Sequence, residues 1–312
     1  MPAAAGKRVE MSLNFDREFE PRHGESVNVA PGVRRVTANN GGPFTFRGTN
    51  TFIVGERELA VIDPGPDDPA HVDAVIRAIA GRPVSHILVS HTHRDHSPAA
   101  SALREATGAP VLAEGPHRAT RDLNVGETNP LDASADKQFA PDERLADGML
   151  VRGEGWTLEA VATPGHTANH LAFALHEENL LFSADHVMAW STSVVAPPDG
   201  SMGDFMASLD KLLARRETLY LPAHGGEVRD PQGFVRGLKT HRRMRERAIL
   251  DRLVKGDTTI AELVAANYRG LDKRLTGAAA LSTLAHLEDL VARGLVATDG
   301  HAAIDGRYRP AG

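Results

Sequence analysis

Apolar positions along the chain follow two rhythms, and the change from one to the other marks its elements. Val27–Val29, Val33–Thr37, Thr51–Val54 and Leu59–Ile62 are short apolar runs divided by Pro31-Gly32, Asn39-Asn40-Gly41-Gly42-Pro43 and Gly55, which predicts strands joined by turns. At Pro69–Ala80 the period lengthens. Val72, Val75, Ile76 and Ile79 line one helical face, with Asp68 as cap, Pro69 at the first position and Gly81 as stop. A buried-type strand at 86–89, a helix opened by Ser97-Pro98 and a short strand at Val111–Ala113 come next. Residues 114–150, rich in Asp, Asn and Pro, predict a long surface excursion. Strands resume at Thr157–Ala162, Leu171–Leu175 and Leu180–Ser183, and a helix at Asp204–Arg215 leads to a strand at Leu219–Leu221. Strands with helices between them, twice over, predict an α/β fold of two sheets covered by helices on their outer faces.

The tail has another character. Arg242–Val254, Ile260–Tyr268 and Ala278–Arg293 read as helices, and 294–297 and Ala303–Tyr308 as extended pieces around the turn at Asp299-Gly300. Three helices and a hairpin predict a winged-helix arrangement, so the chain divides into residues 1–240 and 241–312.

Composition narrows the class. The 312 residues are 41% hydrophobic and 24% charged, as in an ordinary globular protein, and they contain no cysteine. That excludes disulfides, thiolate zinc sites and thiol nucleophiles. Met1–Glu20 lacks the apolar stretch of an export signal and no segment resembles a membrane span, so a cytoplasmic location is the expectation. The net charge of −6 divides into an acidic body and a tail of +3, too weakly basic to argue for nucleic acid by itself.

The candidate chemistry lies in histidine and aspartate. Directly after the apolar strand comes His91-Thr92-His93-Arg94-Asp95-His96. In an extended segment His91 and His93 point the same way and can converge on one ion, while Asp95 and His96 can face a second. Three further segments share one grammar, an apolar strand, a turn and a potential ligand: 161–166 ending in His166, 180–185 ending in Asp185, and 219–224 ending in His224. Ligands at successive strand ends gather along one edge of a sheet. Nitrogen and carboxylate donors suit zinc first, with iron or manganese also admissible.

These segments, with Asp63 in Val61-Ile62-Asp63-Pro64-Gly65, resemble the five ordered motifs of the metallo-β-lactamase superfamily over about the first 240 residues. The resemblance implies an αββα sandwich, here with a C-terminal winged-helix domain. It implies two divalent ions, one held by His91, His93 and His166, the other by Asp95, His96 and His224, with Asp185 bridging and Asp63 orienting ligands from behind. The fused tail and Thr163-Pro164-Gly165-His166-Thr167 resemble the branch of β-lactamase-like protein 2, some members of which cleave single-stranded RNA. Ala184 stands where that family commonly has glycine, and Ser90 where it has threonine.

Two +2 ions, less Asp95, Asp185 and one bridging hydroxide, leave roughly +1, which favours an anionic or strongly polarised substrate group. The expectation is a metal-dependent hydrolase using that hydroxide, with Asp95 and Asp185 as the catalytic carboxylates. Its substrate would be a small molecule carrying an ester, thioester, lactone or similar bond. An RNA phosphodiesterase and a metal-sensing DNA-binding regulator are the alternatives. The third tail helix argues against both, because Glu288 and Asp289 accompany Arg293 and His286. Packing against the substrate cleft or a dimer contact fits the tail better. His170, four residues past His166, can either touch substrate or cap the next strand. His186 is expected to pack away from the metals, Arg94 to project outward, and His23, His71, His117, His176, His241, His286 and His301 to lie at the surface. Loops 39–48 and 190–204 are the expected rims of the cleft.

Overall fold

A computed structural model of the chain describes residues 13–125, 127–129 and 131–312, so the reading of an unexported N-terminus lies, over residues 1–12, outside the described residues. Strands β1 (Ser26–Ala30), β2 (Val33–Thr37), β3 (Asn50–Val54) and β4 (Leu59–Ile62) form an antiparallel meander. Helix α1 (Pro69–Ile79) then crosses back to β5 (Val84–Leu88), parallel to β4, and α2 (Ala100–Thr107) crosses to β6 (Val111–Ala113), which a two-residue β7 (Glu143–Arg144) extends. These seven strands make one sheet in sequential order.

The second sheet holds β8 (Leu150–Gly153), β9 (Trp156–Ala162), β10 (Leu171–Leu175) and β11 (Leu180–Ala184) as an antiparallel run. Helix α3 (Met202–Leu213) carries the chain to β12 (Leu219–Pro222), parallel to β11. Strand alternation sorts the side chains. Phe52, Ile62, Leu88, Leu158, Phe173, Phe182 and Leu221 meet between the sheets. Ile53, Val61 and Ile87 turn the other way onto α1 and α2, and Ala172, Leu181 and Tyr220 turn onto α3. Each sheet thus buries both faces, giving four layers, αββα.

Helix α4 (Pro231–Val254) is longer than the pattern predicts and begins eleven residues earlier. Asp230 caps it, its carboxylate accepting from the Gly233 amide, and Pro231 occupies the first turn. The helix runs unbroken through residue 240. Its Val235 and Leu238 join the layer under α3, whereas Ile249 and Leu253 join a separate core with α5 (Ile260–Asn267), α6 (Thr276–Ala292) and the hairpin β13 (Val296–Thr298) and β14 (Tyr308–Pro310). Three helices and a hairpin make the winged-helix unit. Among the described residues no helix is long and apolar enough to cross a membrane.

Candidate metal centre

Strand β9 is antiparallel to β10 and β10 to β11, while β12 runs parallel to β11, so β9, β11 and β12 all finish at one edge of their sheet. The turns beyond them carry His166, Asp185 and His224. The edge of the other sheet where β4 and β5 finish carries Asp63 and His91–His96. Hydrogen bonds lock the two edges together. Asn50 reaches the carbonyls of Pro222 and Gly225 through its side-chain amide, and the Leu171 amide donates to the Ser90 carbonyl at 2.8 Å.

The seven candidate ligands converge in two groups whose donor atoms lie within 4.8 Å of one another: His91, His93, His166 and Asp185, and Asp95, His96 and His224. In the first, His93 Nδ1 lies 3.0 Å from both His91 Nε2 and His166 Nε2. In the second, Asp95 Oδ2 lies 3.2 Å from His96 Nε2 and from His224 Nε2. Asp185 faces both groups. Its Oδ2 is 3.5 Å from His166 Nε2, and its Oδ1 is 3.2 Å from His224 Nε2 and 3.7 Å from His96 Nε2.

The donor set fits divalent cations. His96 Nε2 and Asp185 Oδ1 are buried and make no hydrogen bond. Burial, reinforced by the neighbouring imidazoles, holds His91 well below the ordinary histidine range and His93 at about 3, so both rings are neutral and offer lone pairs. At His96 and His224 burial is outweighed by carboxylates: Asp95, Asp185 and Asp63 hold His96 well above its ordinary value, and Asp185 and Asp95 raise His224 to about 10. Asp95 and Asp185 stay ionised despite burial because His96 and His224 face them. The second group therefore favours positive charge at its centre, which a cation would supply in place of those protons.

A layer of partners behind the donors fixes their orientation. Asp63, 2% exposed, accepts from the Ser90 amide and hydroxyl at 2.7 Å each, and its Oδ2 lies 3.0 Å from His96 Nδ1. Thr49 donates to Asp95 Oδ2 at 3.2 Å and is itself held by Asn40. His166 Nδ1 meets the Val194 carbonyl at 2.6 Å. Gly165 carries φ +135°, and a Cβ there would stand 2.4 Å from the backbone of Phe205, so glycine lets α3 close against the His166 turn.

His170 is buried beside the donors. It is 1% exposed, its Nδ1 lies 2.8 Å from Thr163 Oγ1, and its Nε2 accepts from the Asp185 amide at 3.3 Å. Of the two readings held for it, substrate contact or a cap on the next strand, these contacts describe a ring that supports the Thr163 turn and the Asp185 backbone. His186 packs on Phe205, ring centroids 4.4 Å apart, and Arg94 is exposed with its Nε on the Ala135 carbonyl. His71 and His286, expected at the surface, are buried, and His117 and His241 are half-buried. Helical spacing carried the signal: His71 precedes Val75 by four residues, and His286 follows Thr283 by three, on buried faces. His71 Nε2 meets Thr51 Oγ1 at 2.8 Å beneath the turn after Asp63.

Loop 190–204 meets the excursion at Thr120 and Asn129, which contact Pro198 and Asp199. Thr92, between the candidate ligands His91 and His93, contacts His117 Nδ1 and Asn169 Nδ2 at 3.0 Å each, and fully buried Asp199 accepts from Asn129 at 2.8 Å. These single polar residues in irregular segments leave no periodic trace.

A profile of the Metallo-beta-lactamase superfamily matches residues 44–224, and one of the Beta-lactamase associated winged helix domain matches 259–305. The chain is 33% identical to the atrochrysone carboxyl ACP thioesterase AgnL7 of Paecilomyces divaricatus over 82% of this chain and 79% of that one. It is 29% identical to an atrochrysone carboxyl ACP thioesterase of Aspergillus terreus over 85% and 81%. Among solved structures, a beta-lactamase domain protein from Burkholderia ambifaria superposes with TM-score 0.78 at 23% identity, covering 98% of this chain and 99% of that one. A metallo-beta-lactamase family protein from Thermus thermophilus gives 0.73 at 25%, covering 91% and 100%. With its five motifs gathered at one edge of an αββα sandwich and the family profile spanning more than half its length, the chain belongs to the metallo-beta-lactamase superfamily.

Proposed function

We propose that this hydrolase cleaves acyl thioesters of small-molecule substrates at a centre of two divalent cations, zinc first. His91, His93 and His166 would hold one cation, Asp95, His96 and His224 the other, and the Asp185 carboxylate would serve both. The observation that carries this reading is Asp185, one carboxylate with an oxygen turned to each group of donors. The thioester is favoured by the relatives named as ACP thioesterases, whose similarity extends over both units of the chain.

Cations held by these residues would supply an acidified water near neutral pH and polarisation of the acyl carbonyl. The chain's own residues supply the preorganisation. Asp63 aims His96 Nε2 inward by engaging the opposite ring nitrogen, and the Val194 carbonyl does the same for His166. Thr49 turns Asp95 Oδ2, and His170 fixes the backbone from which Asp185 projects. With no cysteine in the chain, a covalent thiol route is closed.

Zinc-quantified protein assayed on a panel of acyl thioester, oxoester, lactam and single-stranded RNA should hydrolyse the thioester fastest. Asp185→Asn should lower its kcat/KM by about 100-fold or more, beyond the loss typical of a residue that only orients a ligand. Hydrolysis that survives exhaustive chelation, or turnover of RNA in preference to the thioester, contradicts the proposal.

A further inference from the structure

Arg242 occupies a place where the pattern of α4 calls for an apolar side chain. Val235, Leu238, Ile249 and Leu253 form one stripe along the helix, and Arg242 falls on it, 3% exposed, where the core under α3 gives way to the winged-helix core. A buried guanidinium is costly unless its donors are satisfied. Here Nη2 donates to the Ser193 carbonyl, Nη1 to Ser282 Oγ at 3.4 Å, and Nε has no partner. Both acceptors are neutral. Burial pulls the guanidinium down to about 10, so it stays charged at neutral pH.

What Arg242 holds is next to the metal centre. Ser193 and Val194 are consecutive: Arg242 grips the carbonyl of the first, and the carbonyl of the second takes His166 Nδ1 at 2.6 Å. Ser193 Oγ itself lies 3.3 Å from that nitrogen. No helix or strand fixes this segment, so the hydrogen bond from α4 is an anchor where the backbone ladder offers none. The same guanidinium lies 5.0 Å over the ring of Phe205. Phe205 packs on His186, which follows Asp185, and its backbone closes on Gly165, which precedes His166. His166, which serves the first group alone, thus rests on a support that ends on Arg242.

We propose that Arg242 is a positioning residue through which the C-terminal helices set the metal affinity of the group formed by His91, His93, His166 and Asp185. This rests on the metal-centre reading above and adds that the two groups are supported separately. Asp95, His96 and His224 lean on Thr49, Asp63 and the Gly48 carbonyl, and none of these contacts Arg242.

Zinc affinities measured by chelator competition on wild type, Arg242→Met and Arg242→Lys test it, alongside the unfolding midpoint of each metal-free protein. Wild type should bind two zinc ions. Arg242→Met should keep one at wild-type affinity and weaken the other by about 10–100-fold, and Arg242→Lys, which keeps the charge and one donor, should recover part of the loss. A role confined to packing would lower the metal-free midpoint and leave both affinities unchanged, and that result overturns the proposal. If Arg242→Met does not fold, Arg242→Lys decides: wild-type affinity at both sites overturns the proposal, a selective loss at one supports it. Wild type that binds no zinc removes the metal-centre reading as well, which separates the two failures.

Discussion

Asp63 takes the left-handed conformation (φ 49°), which L residues adopt at a cost that Asn and Asp bear most easily. The turn it makes brings a buried carboxylate against Ser90 and His96 at once, with both oxygens engaged. Asp63→Asn keeps the shape and tolerates the backbone, but its amide nitrogen can only donate and accepts from neither the Ser90 hydroxyl nor His96. We expect zinc binding at Asp95, His96 and His224 to weaken by about 10–100-fold with little change in fold; unchanged affinity in a chelator titration would show that Asp63 is only a turn residue. Ala184 also sits at positive φ (44°), a conformation that glycine adopts without the cost an L side chain bears. The candidate donors were legible because each lies just past an apolar strand. Arg242 was not, since its role depends on a carbonyl of a distant irregular loop.

Among the elements, the strands that bury both faces were readable nearly to the residue: Leu59–Ile62, Val111–Ala113 and Leu171–Leu175 coincide with the pattern, as does the partly buried Val33–Thr37. The edge strand β8 was missed because only Val151 of its four residues is buried, and the first half of α4 because Pro231, Gly233 and Gly237 mask its stripe. Beyond hydrophobicity, β9 is tied to the end of α3 by a bidentate pair, Arg215 Nη1 and Nη2 on Glu159 at 2.8 and 2.9 Å. That hydrogen bonding pulls Glu159 down to about 2 from the usual 4.5. A depressed carboxylate contributes stability that is present above pH 4.5 and lost as pH falls towards 2. Denaturant unfolding across that window should show a shallower loss in Glu159→Gln than in wild type. Parallel curves would mean the pair contributes nothing.

At the scale of the whole molecule, two sheets end on a shared edge and seven donors converge there, while the helix that leaves the catalytic layers enters the winged-helix core without a break. The tail was read from sequence as a packing unit, and the structure gives that packing particular contacts, Arg242 on Ser193 and Arg121 on Glu288 at 2.6 Å, the latter tying excursion to α6. The central claim is that the two groups of donors, joined at Asp185, enclose a pair of cations. Anomalous scattering from crystals of zinc-loaded protein tests it most directly. The account predicts two zinc peaks flanking the Asp185 carboxylate, about 3.5–4 Å apart; no peak, or a single one away from that carboxylate, would contradict it.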